Sequence, residues 1–111
     1  MKIAVSSDAK DLDGNVSEVF GRCAYFMIVE IDGKKITGFE AMSNTALGQR
    51  GGAGISAAQA IAEKGATAVI TRNIGPRAFD VLRQLGIETY NGGGSVKGAV
   101  QKYIEGRLRR I

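Results

Sequence analysis

The 111-residue chain has no histidine and no tryptophan, a single cysteine and a single proline. Without histidine, one chain cannot assemble a Ser-His-Asp triad, a Cys-His pair or an imidazole-based zinc site. One cysteine makes neither an internal disulfide nor a tetrathiolate centre, a usage that suits a reducing compartment. Any metal held here has to arrive with most of its own ligands. No stretch approaches the ~20 apolar residues needed to cross a bilayer. Met1-Lys2-Ile3-Ala4-Val5-Ser6 also lacks the apolar region of a secretory signal. These absences lead to the expectation of one cytoplasmic domain over residues 1–111, without a membrane partner.

What is present is apolar enough for a core, at 44% of residues, with a net charge of +4. The charge is uneven. Residues 1–55 carry six Lys/Arg against seven Asp/Glu, whereas residues 56–111 carry nine against four. An excess of this kind favours anionic partners without naming one.

Apolar patterning predicts alternating elements. Lys2–Ser6 and Tyr25–Ile31 read as buried strands, and Asp32-Gly33 is suited to a tight hairpin returning through Lys35–Met42, with Gly38 at a bulge. Ser43–Gly54 is a glycine-rich loop. Ile55, Ala58, Ile61 and Ala62 have helical spacing, stopped by Gly65, and Thr67–Thr71 is a strand. Pro76 opens a second helix whose stripe is Ala78, Val81, Leu82 and Leu85, and Ile87–Tyr90 is a short strand. Ser95 caps a third helix carrying Val96, Ala99, Val100, Tyr103 and Ile104. The expected order is β-β-β-α-β-α-β-α, an α/β fold with a mixed five-stranded sheet flanked by three helices.

Three glycine-rich or turn-rich segments each lead into a helix: Gly48–Gly54, Asn73–Pro76 and Asn91–Ser95. Helix N-termini expose unpaired N–H groups and partial positive charge, and glycine admits a ligand close to the backbone. In βαβ units such loops share the carboxyl edge of the sheet, where ligands of open α/β folds bind. Arg50, Arg72 and Arg77 add charge to the same segments. An anion pocket is one reading; ordinary loop chemistry is the other, since every helix needs a start.

Other motifs carry less. Gly52-Ala53-Gly54-Ile55-Ser56-Ala57 spells a dinucleotide fingerprint, but it follows a long loop rather than a first parallel strand. Cys23 beside Arg22 reads either as a thiolate ligand favoured by a nearby cation or as an inert core residue. Asp8, Asp11 and Asp13 lack the spacing of a calcium loop. Arg107, Arg109 and Arg110 read as a solvated tail complementing the last helix dipole. No aromatic-studded nucleic-acid motif accompanies them.

Taken together, Val16–Phe26, Gly51-Gly52-Ala53-Gly54, Thr71–Phe79 and Gly94-Ser95-Val96-Lys97 resemble the dinitrogenase iron–molybdenum cofactor biosynthesis family. These are proteins related to nitrogenase accessory factors, with the molybdenum–copper orange protein of sulfate reducers among the relatives. The resemblance covers essentially the whole chain, in order. It implies a ribonuclease H-like fold and the binding or carriage, without catalysis, of a metal–sulfur cluster or its precursor (Mo/Fe–S or Mo–Cu–S). Some members have His immediately before Phe-Gly-Arg, where this chain has Val19, and others have Gly in place of Arg72. Histidine ligation is therefore not implied here, and Arg72 adds positive charge.

Backbone amides, arginines and one thiolate are what this chain can offer a sulfide cluster. The expected cluster-binding set is Arg50, Gly51, Gly52, Gly54, Arg72, Asn73, Gly75, Arg77, Gly93, Gly94 and Ser95, with Cys23 as a thiolate ligand. A partner protein in cluster assembly or delivery is expected, and nucleic acid is not. The rival reading is a metal-free regulatory or interaction module using the same glycine-rich, arginine-lined surface. An enzyme acting on a small phosphorylated substrate ranks below both, because neither histidine nor a close carboxylate pair is in evidence.

Overall fold

Three strands carry apolar residues on both of their sides, and they become the middle of the sheet. In the computed structural model, which describes residues 1–111, these are β1 (Lys2–Ser7), β2 (Tyr25–Asp32) and β4 (Ala66–Thr71). Because side chains alternate along a strand, Ala4, Phe26, Ile28 and Val69 join one core cluster. Ile3, Val5, Met27, Val29 and Ile70 join a second. Helices α1 (Ala53–Glu63) and α2 (Pro76–Gln84) cover the first face through Ala57, Ala58, Ile61, Ala78 and Leu82. Helix α3 (Val96–Ile104) covers the other through Val96, Ala99 and Val100.

The remaining strands are β3 (Lys35–Ser43), β5 (Glu88–Asn91) and β6 (Arg109–Arg110), and the sheet order is β3-β2-β1-β4-β5-β6. β1, β4 and β5 are parallel neighbours, while β2, β3 and β6 pair antiparallel. In the hairpin, Gly38 faces Glu30 and Ile36 faces Ile31, so Thr37 is the extra residue of a bulge beside the glycine.

The sheet has six strands, not the five expected. Beyond Gly106, at φ +71, the chain doubles back and its last residues pair with the open outer edge of β5. The Ile111 N–H donates to the Thr89 carbonyl, and Arg110 meets the Glu88 carboxylate at 3.2 Å. Arg109 and Arg110 are thus strand residues, not a solvated tail. A two-residue strand lacks a periodic signal, so nothing in the local sequence marks it. No helix is long and apolar enough to cross a membrane.

Candidate functional site

β1 and β4 end side by side at Ser7 and Thr71, whose neighbouring hydroxyls close the sheet edge: Ser6 Oγ donates to Thr71 Oγ1 at 3.0 Å, both buried. Above this edge residues 15–21 cross the sheet. They make isolated bridges from Val16 to Ser7, from Asn15 to Ser95 and from Val19 to Asn73. The crossing is held by Val16 N–H to Gly94 O (2.8 Å), Phe20 N–H to Asn73 O (2.8 Å) and Asn73 Nδ2 to Glu18 O (3.0 Å). It divides the carboxyl edge into an α1/α2 side and an α3 side.

On the α1/α2 side lies a cleft of about 310 Å³, walled by Val19, Phe20 and Arg22 from the crossing segment and by residues 52–55 and 75–78 of the two helix starts. Both helices begin on glycine, Gly52 at φ 71 and Gly75 at φ −73, and neither has a side-chain cap. The first intrahelical bonds run from Ser56 N–H to Gly52 O and from Phe79 N–H to Gly75 O. The amides of residues 53–55 and of 77 and 78 precede them and point out of the helix ends. Pro76, with no N–H to leave unpaired, occupies the first position of α2. Arg22 and Arg77 contribute cationic residues to the same walls.

Missing side chains bring these walls together. A Cβ on Gly54 would sit 2.8 Å from Ala78 Cβ, so only glycine lets the first turns of α1 and α2 approach this closely. A Cβ on Gly21, at φ +89, would sit 2.8 Å from Gly54 Cα. The Phe20 ring, packed at 5.3 Å on Phe26, then fixes the cleft wall to the core.

The α3 side is built differently. Ser95 Oγ accepts from Gly98 N–H at 3.0 Å, while Val96 N–H donates to Gly14 O and Lys97 N–H to Leu12 O. All three amides of the first turn are engaged, and no anion can use them. A second hollow of about 490 Å³ nearby is lined by Asp8, residues 15–18, Arg72 and Gly94, with acidic as well as basic groups.

The structure therefore brings Gly52, Gly54, Gly75 and Arg77 together in one cleft and places the other sequence candidates elsewhere. Arg72 lies in the second hollow, its side chain against Gly93, and Gly94 lines the same hollow. Asn73 bonds the crossing segment instead of facing a ligand, and Ser95 is a cap. Arg50 and Gly51 are exposed on the loop before α1, outside the cleft lining. The three loops do share one sheet edge; the crossing segment, which the sequence leaves as undifferentiated polar loop, is what separates them.

Cys23 does not have the environment of a metal-binding thiolate. It is 1% exposed within the α1/α2 core cluster, and burial raises its pKa, against weaker lowering by hydrogen bonds from the Ser7 and Gly21 backbone and the Ser6 side chain. The neighbouring Arg22 guanidinium turns away, donating to the Gln49 carbonyl at 2.9 Å. Adjacency in sequence to a cation is no guide to adjacency in space.

Val19, Phe20, Arg22, Ile55 and Ala78 line the cleft although no expectation placed them there. Val19–Phe26 draws attention in the sequence because of Cys23. The available signal for a wall was Phe20-Gly21-Arg22, an aromatic, a turn glycine and a cation in immediate succession.

An α/β protein with a mixed sheet and an amide-lined, cationic cleft at its carboxyl edge is the class these features define. The family model described as "Dinitrogenase iron-molybdenum cofactor" matches residues 1–106, and the chain belongs to that family. An uncharacterised protein of Methanocaldococcus jannaschii is 38% identical over 113 residues, covering 100% of this chain and 96% of the relative. Among solved structures, the apo form of the orange protein from Desulfovibrio gigas superposes with a TM-score of 0.92 at 34% identity, covering 99% of this chain and 92% of that one. A NifB-like protein from Thermotoga gives 0.84 at 33%, covering 98% and 91%.

Proposed function

We propose that the protein is a non-catalytic carrier of an anionic, molybdenum-containing metal–sulfur cluster or its precursor. In this reading residues 1–111 form one cytoplasmic domain of ribonuclease H-like architecture that exchanges its cargo with a partner protein. The observation that carries the reading is the pair of helix N-termini, both without side-chain caps, that open with Arg22 and Arg77 into one cleft. The donor set fits a sulfide anion. Amides and guanidinium groups donate to peripheral sulfur without competing for the metal, and helix dipoles stabilise the negative charge. Val19, Phe20, Ile55 and Ala78 give the soft, weakly hydrated face of such a cluster apolar contact. Nowhere do three His, Cys, Asp or Glu side chains gather to hold a bare ion. Metal would enter already wrapped in sulfide, and the family's name together with the orange-protein likeness supports molybdenum, with iron or copper as the companion metal.

The test is anaerobic incubation with tetrathiomolybdate, with and without copper(I), followed by desalting. Molybdenum, copper and sulfide per chain are measured together with the visible spectrum. Stoichiometric metal and charge-transfer bands on the protein are expected. A colourless, metal-free protein after both treatments would replace the carrier with a metal-free interaction module.

A further inference from the structure

The loop between β3 and α1 is firmly rooted at one end and nearly free beyond it. At its root, Asn44 is 9% exposed, donates its N–H to Ala24 O and its Nδ2 to both Gly21 O and Cys23 O at 2.9 Å, and accepts from Ala46 N–H. Past the buried Ala46 the character changes. Leu47 is 43% exposed, and residues 48–52 are all exposed. Gly48, Gly51 and Gly52 have no atom within 4 Å of where a Cβ would stand. Two local turn bonds, Leu47 N–H to Asn44 O and Gln49 N–H to Ala46 O, shape the segment. One hydrogen bond ties residues 47–51 to the rest of the molecule, from Arg22 Nη1 to the Gln49 carbonyl, and Arg22 is a wall of the cleft.

We propose that Arg22 couples occupation of the cleft to release of residues 47–51. The inference rests on the carrier reading and adds a signal to it. A guanidinium bonds an anion more strongly than it bonds a neutral carbonyl. An anionic cargo in the cleft draws Arg22 off Gln49, and the segment loses its single outside tie. A segment held by one exposed bond opens readily once that bond is gone. Leu47 and Arg50 are exposed in either state, so release changes the mobility of this glycine-flanked strap and not its exposure, and loaded and empty protein differ in the dynamics of the surface beside the cleft.

Hydrogen–deuterium exchange over residues 44–52 and tryptic cleavage after Arg50 report the strap, measured with and without tetrathiomolybdate. Bound molybdenum is quantified in the same samples. Loading is expected to speed both readouts about three- to tenfold. Arg22→Ala is expected to show the fast rates already without cargo and no further change with it, while Arg22→Lys falls between. Molybdenum bound with unchanged or slower strap exchange overturns the coupling and leaves the carrier standing. No molybdenum bound overturns the carrier reading and the coupling with it. Ligand-free Arg22→Ala that exchanges like the parent, with the same thermal midpoint, shows that the bond to Gln49 is not the tether and also overturns the coupling.

Discussion

Two helix starts on one side of the crossing segment and one on the other stand on the same sheet edge, yet they do opposite things with their amides. α3 closes its first turn completely, with the Ser95 hydroxyl and the carbonyls of Leu12 and Gly14 each taking an amide. α1 and α2 start on glycines that have no side chain to offer, and their first amides face a cleft. An N-cap residue such as Ser, Asn or Asp contributes about 1 kcal/mol to a helix relative to alanine and about 0.3 kcal/mol relative to glycine, by giving an amide its acceptor. Going without a side-chain acceptor twice, at adjacent positions around one hollow, is the pattern expected where a ligand supplies the missing acceptors. Loop composition alone does not separate the cases. Gly92-Gly93-Gly94 before α3 is richer in glycine than Asn73-Ile74-Gly75 before α2, and it precedes the closed helix.

The contrast breaks most severely if the walls cannot meet. Gly21→Ala places a Cβ 2.8 Å from Gly54 Cα at a φ of +89, combining a backbone clash with a left-handed conformation. A loss of about 3 kcal/mol in urea denaturation is expected. Charge reversal tests the two sides directly. Arg77→Glu is expected to weaken thiomolybdate binding about tenfold or more, whereas Arg72→Glu, in the mixed-charge hollow, changes it less than about twofold in the same titration.

Swapping the capping logic sharpens the comparison further. Gly75 has extended backbone and open space around its Cβ position, so Gly75→Asp gives α2 a cap. Thermal unfolding is expected to show about 0.3–0.5 kcal/mol of added stability while metal loading falls, since the new carboxylate takes the amides and repels the anion. Ser95→Ala runs the other way, losing about 1 kcal/mol with loading unchanged.

The smallest effect concerns Cys23. Burial raises its pKa in the folded state, so the protonated thiol contributes stability fully below the ordinary thiol pKa, and this is lost as pH rises through the folded value. Cys23→Ala is expected to flatten the alkaline side of the stability–pH curve and to leave loading intact. A large fall in loading would restore the cysteine as a ligand.

How much of this was legible differs between frame and site. Strands with two apolar faces announce themselves by composition, as Tyr25–Ile31 does, and helix stripes such as Ala78, Val81 and Leu82 announce themselves by period. β6 escapes because pairing with an open edge needs only backbone, and backbone has no sequence. In the site, glycines and arginines near helix starts were visible as a set. Which of them meet was not, because that depends on residues 15–21 crossing the edge and on contacts between residues far apart in the chain, Gly21 with Gly54 and Gly54 with Ala78. Cys23 was open to two readings because burial, not its neighbour Arg22, sets its chemistry.

The cleft walls contain no imidazole, thiol or carboxylate. Amides and guanidinium groups neither gain nor lose protons across the physiological range, and neither is a redox centre. A cargo held only by such groups is gripped equally in mildly acidic and neutral surroundings, and oxidants acting on the protein walls find nothing to change. Unloading then has to be triggered by the cargo's own protonation or ligand exchange, or by a competitor that contacts it through the open mouth of the cleft. On the carrier reading, the cleft walls themselves supply no proton or redox trigger, and the timing of transfer belongs to whatever meets the cargo there.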